Sequence, residues 1–198
     1  MKKNSIYMSI VLIAIVCAFV YMVSNKNSTQ LQQASKAQTS SQEAEITLHP
    51  IVVERASFGY PVGYERFDRP KITTTKTLGA LVLYKGTEDN NNFFLGRPTT
   101  QKEPPTTITL DVYANEKNLS VKELLKKDPV YPIIQETIKP FVLDGKSGEY
   151  FEWDGLYRGR SVAVTYQGVT YIFSVTSLSL EDSILKDFEI LLKTVRFN

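Results

Sequence analysis

A chain of 198 residues, 42% hydrophobic and 22% charged with a formal net charge of +2, has the composition of one globular domain with a segment attached. Removing Lys2, Lys3, Lys26 and Lys36 from the 23 basic residues, and Glu43 and Glu45 from the 21 acidic ones, leaves 19 of each. A charge-balanced domain has no basic stripe to neutralise phosphates, which takes away the driver for nucleic-acid binding and for adhesion to anionic headgroups.

The chain opens on Lys2 and Lys3, followed by an uncharged apolar run from Ile6 to Val23. As a helix this run reaches about 27 Å, enough to cross the hydrocarbon core of a bilayer. It is followed by SNKNSTQ, which lacks the small-x-small site of a cleaved signal. Cys17 is preceded by Val16 and followed by more apolar residues, unlike a lipoprotein cysteine. An uncleaved, single-pass anchor is therefore expected, with cleavage and Cys17 lipidation as the alternatives. Lys2 and Lys3 would hold the N-terminus in the cytoplasm and place the rest of the chain outside. Cys17 is the only cysteine and His49 the only histidine, so the exported part is expected to fold without a disulfide and to hold no His/Cys metal cluster.

Ser24 to Glu45 is rich in Ser, Thr, Gln, Asn, Lys and Ala and has one aliphatic residue, Leu31. Such a stretch cannot bury enough surface to offset chain entropy, and it reads as a polar tether spanning on the order of 25 Å. The globular domain should then run from Ile46 to Asn198.

Within it, Ile51 to Val53, Ala56 to Pro61 and Leu78 to Lys85 read as strands, the last apolar on both faces. Thr87 to Asn92 reads as a turn or loop, and Gly96 to Pro105 as a Pro-rich connection. Thr106 to Ala114 alternates Ile108, Leu110 and Val112 against Thr107, Thr109 and Asp111, the pattern of a half-buried strand. Ser120 and Glu123 form a capping box that starts a short helix, Val121 to Lys127, stopped by Pro129. Ile133 to Leu143 is ambiguous, because Pro140 confines any strand there to a sheet edge or an interruption. The stripe Ile184, Leu185, Phe188, Leu191, Leu192 and Val195 predicts an amphipathic helix between Leu180 and Val195, with Ser179 as its N-cap.

Between these helices, Gly148 to Phe173 holds two turn signals. Asp154-Gly155, taken as a two-residue type I′ turn, pairs Trp153 with Leu156, Phe151 with Arg158 and Glu149 with Arg160. Gln167-Gly168 pairs Tyr166 with Val169, Val164 with Tyr171 and Val162 with Phe173. Phe151, Trp153, Val162, Val164, Tyr171 and Phe173 then share one face, and the C-terminal helix should cover it in an α+β layered domain. That leaves Tyr150, Glu152 and Tyr157 on the other face, with Arg158 and Arg160 at its rim, as the candidate partner-binding residues. Glu149, Glu152 and Asp154 do not converge in this register, so no metal, cofactor or catalytic cluster is expected. No nucleophile, phosphate-loop or dinucleotide motif is present.

ASFGYPVGYERF (Ala56 to Phe67), DGKSGEYFEW (Asp144 to Trp153), GVTYIFSVTS (Gly168 to Ser177) and FEILLKTVRF (Phe188 to Phe197) together resemble the opening strand, the central strands and the closing helix of PsbP-like domains. The resemblance spans nearly all of Ile46 to Asn198. It implies an α/β/α sandwich around an antiparallel sheet, as in photosystem II extrinsic subunits, a Ran-binding nuclear import factor and bacterial envelope proteins. Such domains are mostly accessory or binding proteins. No family site transfers residue by residue, since Tyr64 stands where a tryptophan is usual, and the bacterial-type anchor points away from a photosynthetic role. The expectation is an extracytoplasmic accessory domain at the cell membrane that binds an envelope protein or component. The alternative is an envelope enzyme whose cleft would hold two carboxylates within about 5 to 10 Å of each other.

Overall fold

The computed structural model describes residues 47–69, 77–127 and 132–198. The expected anchor, the tether and the Pro129 stop lie outside them. Among the described residues no helix is long and apolar enough to cross a membrane.

In chain order the elements are β1 (Leu48–Val53), β2 (Ala56–Pro61), β3 (Tyr64–Asp68), β4 (Thr77–Lys85), α1 (Glu88–Phe94), β5 (Thr107–Ala114) and α2 (Val121–Lys127). They continue with β6 (Ile133–Leu143), β7 (Lys146–Trp153), β8 (Arg158–Tyr166), β9 (Val169–Ser177), α3 (Ser183–Thr194) and β10 (Arg196–Phe197). Among the described residues these strands form two sheets, a small one ordered β1-β2-β10 and a seven-stranded one ordered β3-β4-β5-β9-β8-β7-β6. Every neighbouring pair is antiparallel.

One face of the large sheet, with Leu81, Leu83, Leu110, Val162, Val164, Tyr171 and Phe173, packs under α3 and the small sheet. Phe58 meets Phe173 edge-on at 5.6 Å between ring centres, a favoured aromatic geometry. On the opposite face Val121 of α2 packs with Phe151, Ala163 and Ile172, and Phe94 of α1 stacks on Tyr84 at 4.2 Å. The domain is a mostly antiparallel α+β sandwich with helices on both faces of its main sheet.

The capping box forms as expected: Glu123 N–H donates to Ser120 Oγ at 3.3 Å, and Ser120 N–H donates to Glu123 Oε2 at 2.9 Å. The Gln167-Gly168 turn holds in the expected register, and its two residues take positive φ. Strand β6 is an edge strand whose register breaks between Ile134 and Lys139, in keeping with Pro140.

Four expectations are corrected. Thr87 to Asn92 is not a loop: Thr87 Oγ1 accepts from Asn90 N–H at 3.3 Å and caps α1, whose poor helix formers are held by the packing of Phe94 on Tyr84 and Phe67. Strand β5 is buried on both faces, with Thr109 and Asp111 sheltered as well, because it lies between β4 and β9 rather than near an edge. Helix α3 starts later, with Asp182 as the cap accepting from Ile184 N–H at 3.2 Å, while Ser179 belongs to the preceding turn.

The fourth correction decides where the candidate site lies. The type I′ turn is Asp144-Gly145, both at positive φ, which closes Leu143 against Lys146. Asp154-Gly155 instead belongs to a longer loop, and β7 pairs with β8 as Trp153 with Gly159, Phe151 with Ser161 and Glu149 with Ala163. Large side chains thereby face small ones. The Trp153 indole covers Gly159, and its Nε1–H donates to Ser161 Oγ at 3.0 Å. This register differs by three residues from the expected one, and an odd shift reverses the face of every side chain on β7. Phe151 and Trp153 join the α2 face, and Tyr150 and Glu152 turn toward α3.

Candidate functional site

A seven-stranded sheet with strands about 4.8 Å apart is roughly 29 Å wide, whereas a helix with its side chains is about 10 to 12 Å across. Helix α3 packs over β5 and β9 and against β2, which leaves β6, β7 and part of β8 without a roof. The result is a cleft of about 480 Å³ between α3 and the β6–β7 hairpin. Its floor is Phe141, Leu143 and Val162, and its helix wall is Leu185, Phe188 and Leu192. The apolar stripe of α3 thus divides: Ile184, Leu191 and Val195 are fully in the core, while Leu192 is half-buried at the cleft.

Tyr150 and Arg160 form the far wall. Tyr150 O–H donates to Glu152 Oε1 at 2.7 Å, and Arg158 donates to Glu152 Oε2 from Nη2 at 2.6 Å and Nε at 3.2 Å. Burial alone would raise the pKa of Glu152. Hydrogen bonds from Tyr150 and Arg158, with the charges of Arg158 and Arg160, outweigh it and hold the carboxyl below the usual range. Burial, followed by the hydrogen bond to Glu152 and its charge, pushes Tyr150 up to about 12. Lys139 on β6 lies 4.5 Å over the Tyr150 ring. Two cations, Arg158 and Arg160, therefore act on one carboxylate, and a third, Lys139, stands over the neighbouring Tyr150 ring.

At the opposite rim Asp144 Oδ2 accepts from Phe197 N–H at 2.8 Å, and its Oδ1 is 3.9 Å from Arg196. Glu189 and Lys193 stand one turn apart on α3, the spacing at which opposite charges support each other.

Of the five residues singled out from the sequence, Tyr150, Glu152, Arg158 and Arg160 come together, on the α3 side rather than away from it. Tyr157 does not join them. Its hydroxyl donates to Pro104 O at 2.6 Å, tying the loop before β8 to the Pro-rich connection. The expected Glu149–Arg160 pair is absent because Glu149 faces the α2 side, where its Oε2 is buried without a hydrogen bond. Arg158 stands opposite Ser177, not Phe151. The sequence reading missed Phe141, Asp144, Lys193 and Arg196; the apolar stripe of α3 already named Leu185, Phe188 and Leu192, but not which of them would face open space.

Among the described residues no group of three His, Cys, Asp or Glu side chains converges as a metal site. Glu152, bonded through both oxygens and held ionised, is a fixed anion rather than a carboxyl poised to exchange protons near neutrality.

The fold and the cleft define a layered α+β domain with an amphiphilic groove beneath its C-terminal helix. Among solved structures it is similar to cyanobacterial PsbP (CyanoP) from Synechocystis sp. PCC 6803, at 11% identity and a TM-score of 0.50, over 81% of this chain and 98% of that one. A crystal structure from Bacteroides thetaiotaomicron aligns at 10% identity and a TM-score of 0.48, over 75% of this chain and 48% of that one, about half its length. No family profile and no curated protein matches the sequence. The fold is PsbP-like, and the resemblance in the sequence motifs is one of architecture.

Proposed function

We propose that this protein is a membrane-anchored, extracytoplasmic accessory domain that holds a component of the cell envelope in the α3 cleft. The cleft carries the reading: at about 480 Å³ it falls in the size range of ligand sites, and it joins an apolar floor to a few polar groups. The charged run-up and apolar segment Ile6 to Val23 support attachment, and the polar stretch to Glu45 supports a tether that lets the domain reach away from the bilayer. A PsbP-like fold is compatible with an accessory, non-catalytic role.

Native mass spectrometry of the full chain, extracted from its membrane in a mild neutral detergent, tests this. The wild-type protein should retain a bound component that is missing from Leu192→Trp, a variant that fills the cleft from α3. Only the unliganded mass in the wild type, or equal retention in both proteins, would contradict the proposal.

A further inference from the structure

Arg160 is half-buried in the cleft wall, and among the described residues its side chain makes no hydrogen bond or ion pair. Glu152 stands opposite it across the β7–β8 ladder, and both oxygens of that carboxylate are already engaged by Tyr150 and Arg158. A guanidinium presents five donors in a fork that matches a carboxylate or phosphate, and an apolar surrounding makes unused donors costly. With Lys139 and Arg158 nearby, this end of the cleft is positive after Glu152 is counted. The remainder of the lining is chiefly aliphatic and aromatic.

We propose that the ligand is an anionic amphiphile, an acyl-type chain lying along Phe141, Val162, Phe188 and Leu192 with its terminal carboxylate seated on Arg160. This rests on the reading of the cleft as the binding site and adds the chemistry of its occupant. A peptide strand fits less well, because the edge beside the cleft carries Pro140, which has no N–H to donate, and breaks register between Ile134 and Lys139. The balanced charge of the domain agrees with recognition of one anion in a groove rather than a charged surface.

The test uses the full chain in its native membrane and two probes: palmitic acid with a diazirine near its chain end, and the alcohol with the same chain. After irradiation, labelled peptides are mapped by mass spectrometry. The acid should label peptides containing Phe141 or Phe188–Leu192 about tenfold more than the alcohol, the lower end of what a charge-assisted pair contributes. Arg160→Gln should reduce acid labelling to the alcohol's level without changing the melting temperature, Arg160→Lys should keep part of the preference, and Leu192→Trp should abolish labelling by both. Equal labelling of the cleft by acid and alcohol in the wild type overturns the anion assignment while leaving the cleft as the site. Label confined to Ile6–Val23, or a bound component of peptide mass in the native spectrum, overturns the amphiphile assignment even where the cleft is occupied.

Discussion

Gly159→Ala tests the contact that sets the β7–β8 register. A Cβ at this position would lie 1.9 Å from Cε2, 2.2 Å from Cζ2 and 2.4 Å from Cδ2 of Trp153, where carbon atoms normally rest about 3.5 to 4 Å apart. The indole must therefore swing away by more than 1 Å, on the order of half a van der Waals contact, and its hydrogen bond to Ser161 breaks. Overpacking costs about 1 to 3 kcal/mol and the lost hydrogen bond about 1. Since φ of Gly159 lies outside the left-handed region, alanine also returns about 0.4 to 1 kcal/mol by restricting the unfolded chain. The net destabilisation should be about 1 to 3.5 kcal/mol. In a Trp153→Ala background the obstruction is gone, and the same glycine substitution should be neutral or slightly stabilising. Urea unfolding of the four proteins of this cycle by circular dichroism measures the coupling, and Trp153, the only tryptophan, gives a fluorescence check wherever it is present. A Gly159→Ala cost that is the same in both backgrounds would refute the claim that the indole occupies this space.

Three further outcomes follow from the same structure. Ser120→Ala should lower stability by about 1 kcal/mol in urea titrations, and combining it with Glu123→Ala should cost less than the two apart, because the pair caps α2 reciprocally. Tyr150 has its pKa raised by burial and by Glu152 to about 12. It thus contributes stability that is fully present below the unfolded-state pKa of about 10 and is lost as pH rises through the folded-state value; Tyr150→Phe should flatten this alkaline decline, and an unchanged pH profile of urea midpoints would remove Tyr150 as its source. Val62 is 55% exposed, so on the proposed topology Val62→Cys in a Cys17→Ala background should react with a membrane-impermeant maleimide applied to intact cells; protection until lysis would place the domain on the cytoplasmic side.

The central strands, the capping box, the Gln167-Gly168 hairpin and the α3 stripe were legible because each rests on a local signal whose period or spacing is close to unique. Two misreadings came from signals that were not unique. The chain contains Asp-Gly twice, at Asp144 and at Asp154, and both suit a type I′ turn. Only the first takes positive φ at both residues. What separates them is the fit of Trp153 and Phe151 against Gly159 and Ser161, a cross-strand packing term invisible to turn propensity. Helix α1 was hidden for a similar reason: Asn90, Asn91 and Asn92 argue against a helix, and the stacking of Phe94 on Tyr84 and Phe67 depends on β3, a short, charged strand that the pattern did not reveal. The cleft inherited the first misreading. Four of the five candidates, Tyr150, Glu152, Arg158 and Arg160, gather at it, but one odd shift of register had put Tyr150 and Glu152 on the wrong side of the sheet.

An uncovered sheet margin is by itself an ordinary consequence of one helix lying on seven strands, and the simplest way to live with it is a polar surface. This margin is different in its side chains. Phe141, Leu143, Leu185, Phe188 and Leu192 keep the space beside α3 apolar, although polar residues at Phe141 and Leu192, both only half-buried, would be easily solvated. Charged groups stand at both rims, but Asp144 is engaged by Phe197 N–H and lies beside Arg196, and Glu189 and Lys193 are one turn apart, whereas at the Tyr150 end Glu152 is fully engaged and Arg160, among the described residues, has no hydrogen bond. A groove that only needed to tolerate water would have no reason to combine half-open apolar surface with a guanidinium whose donors are unused among the described residues, since each is separately unfavourable. A ligand with an apolar body and an anionic end relieves both at once, and this joint complementarity, more than the cleft's volume, is what points to binding.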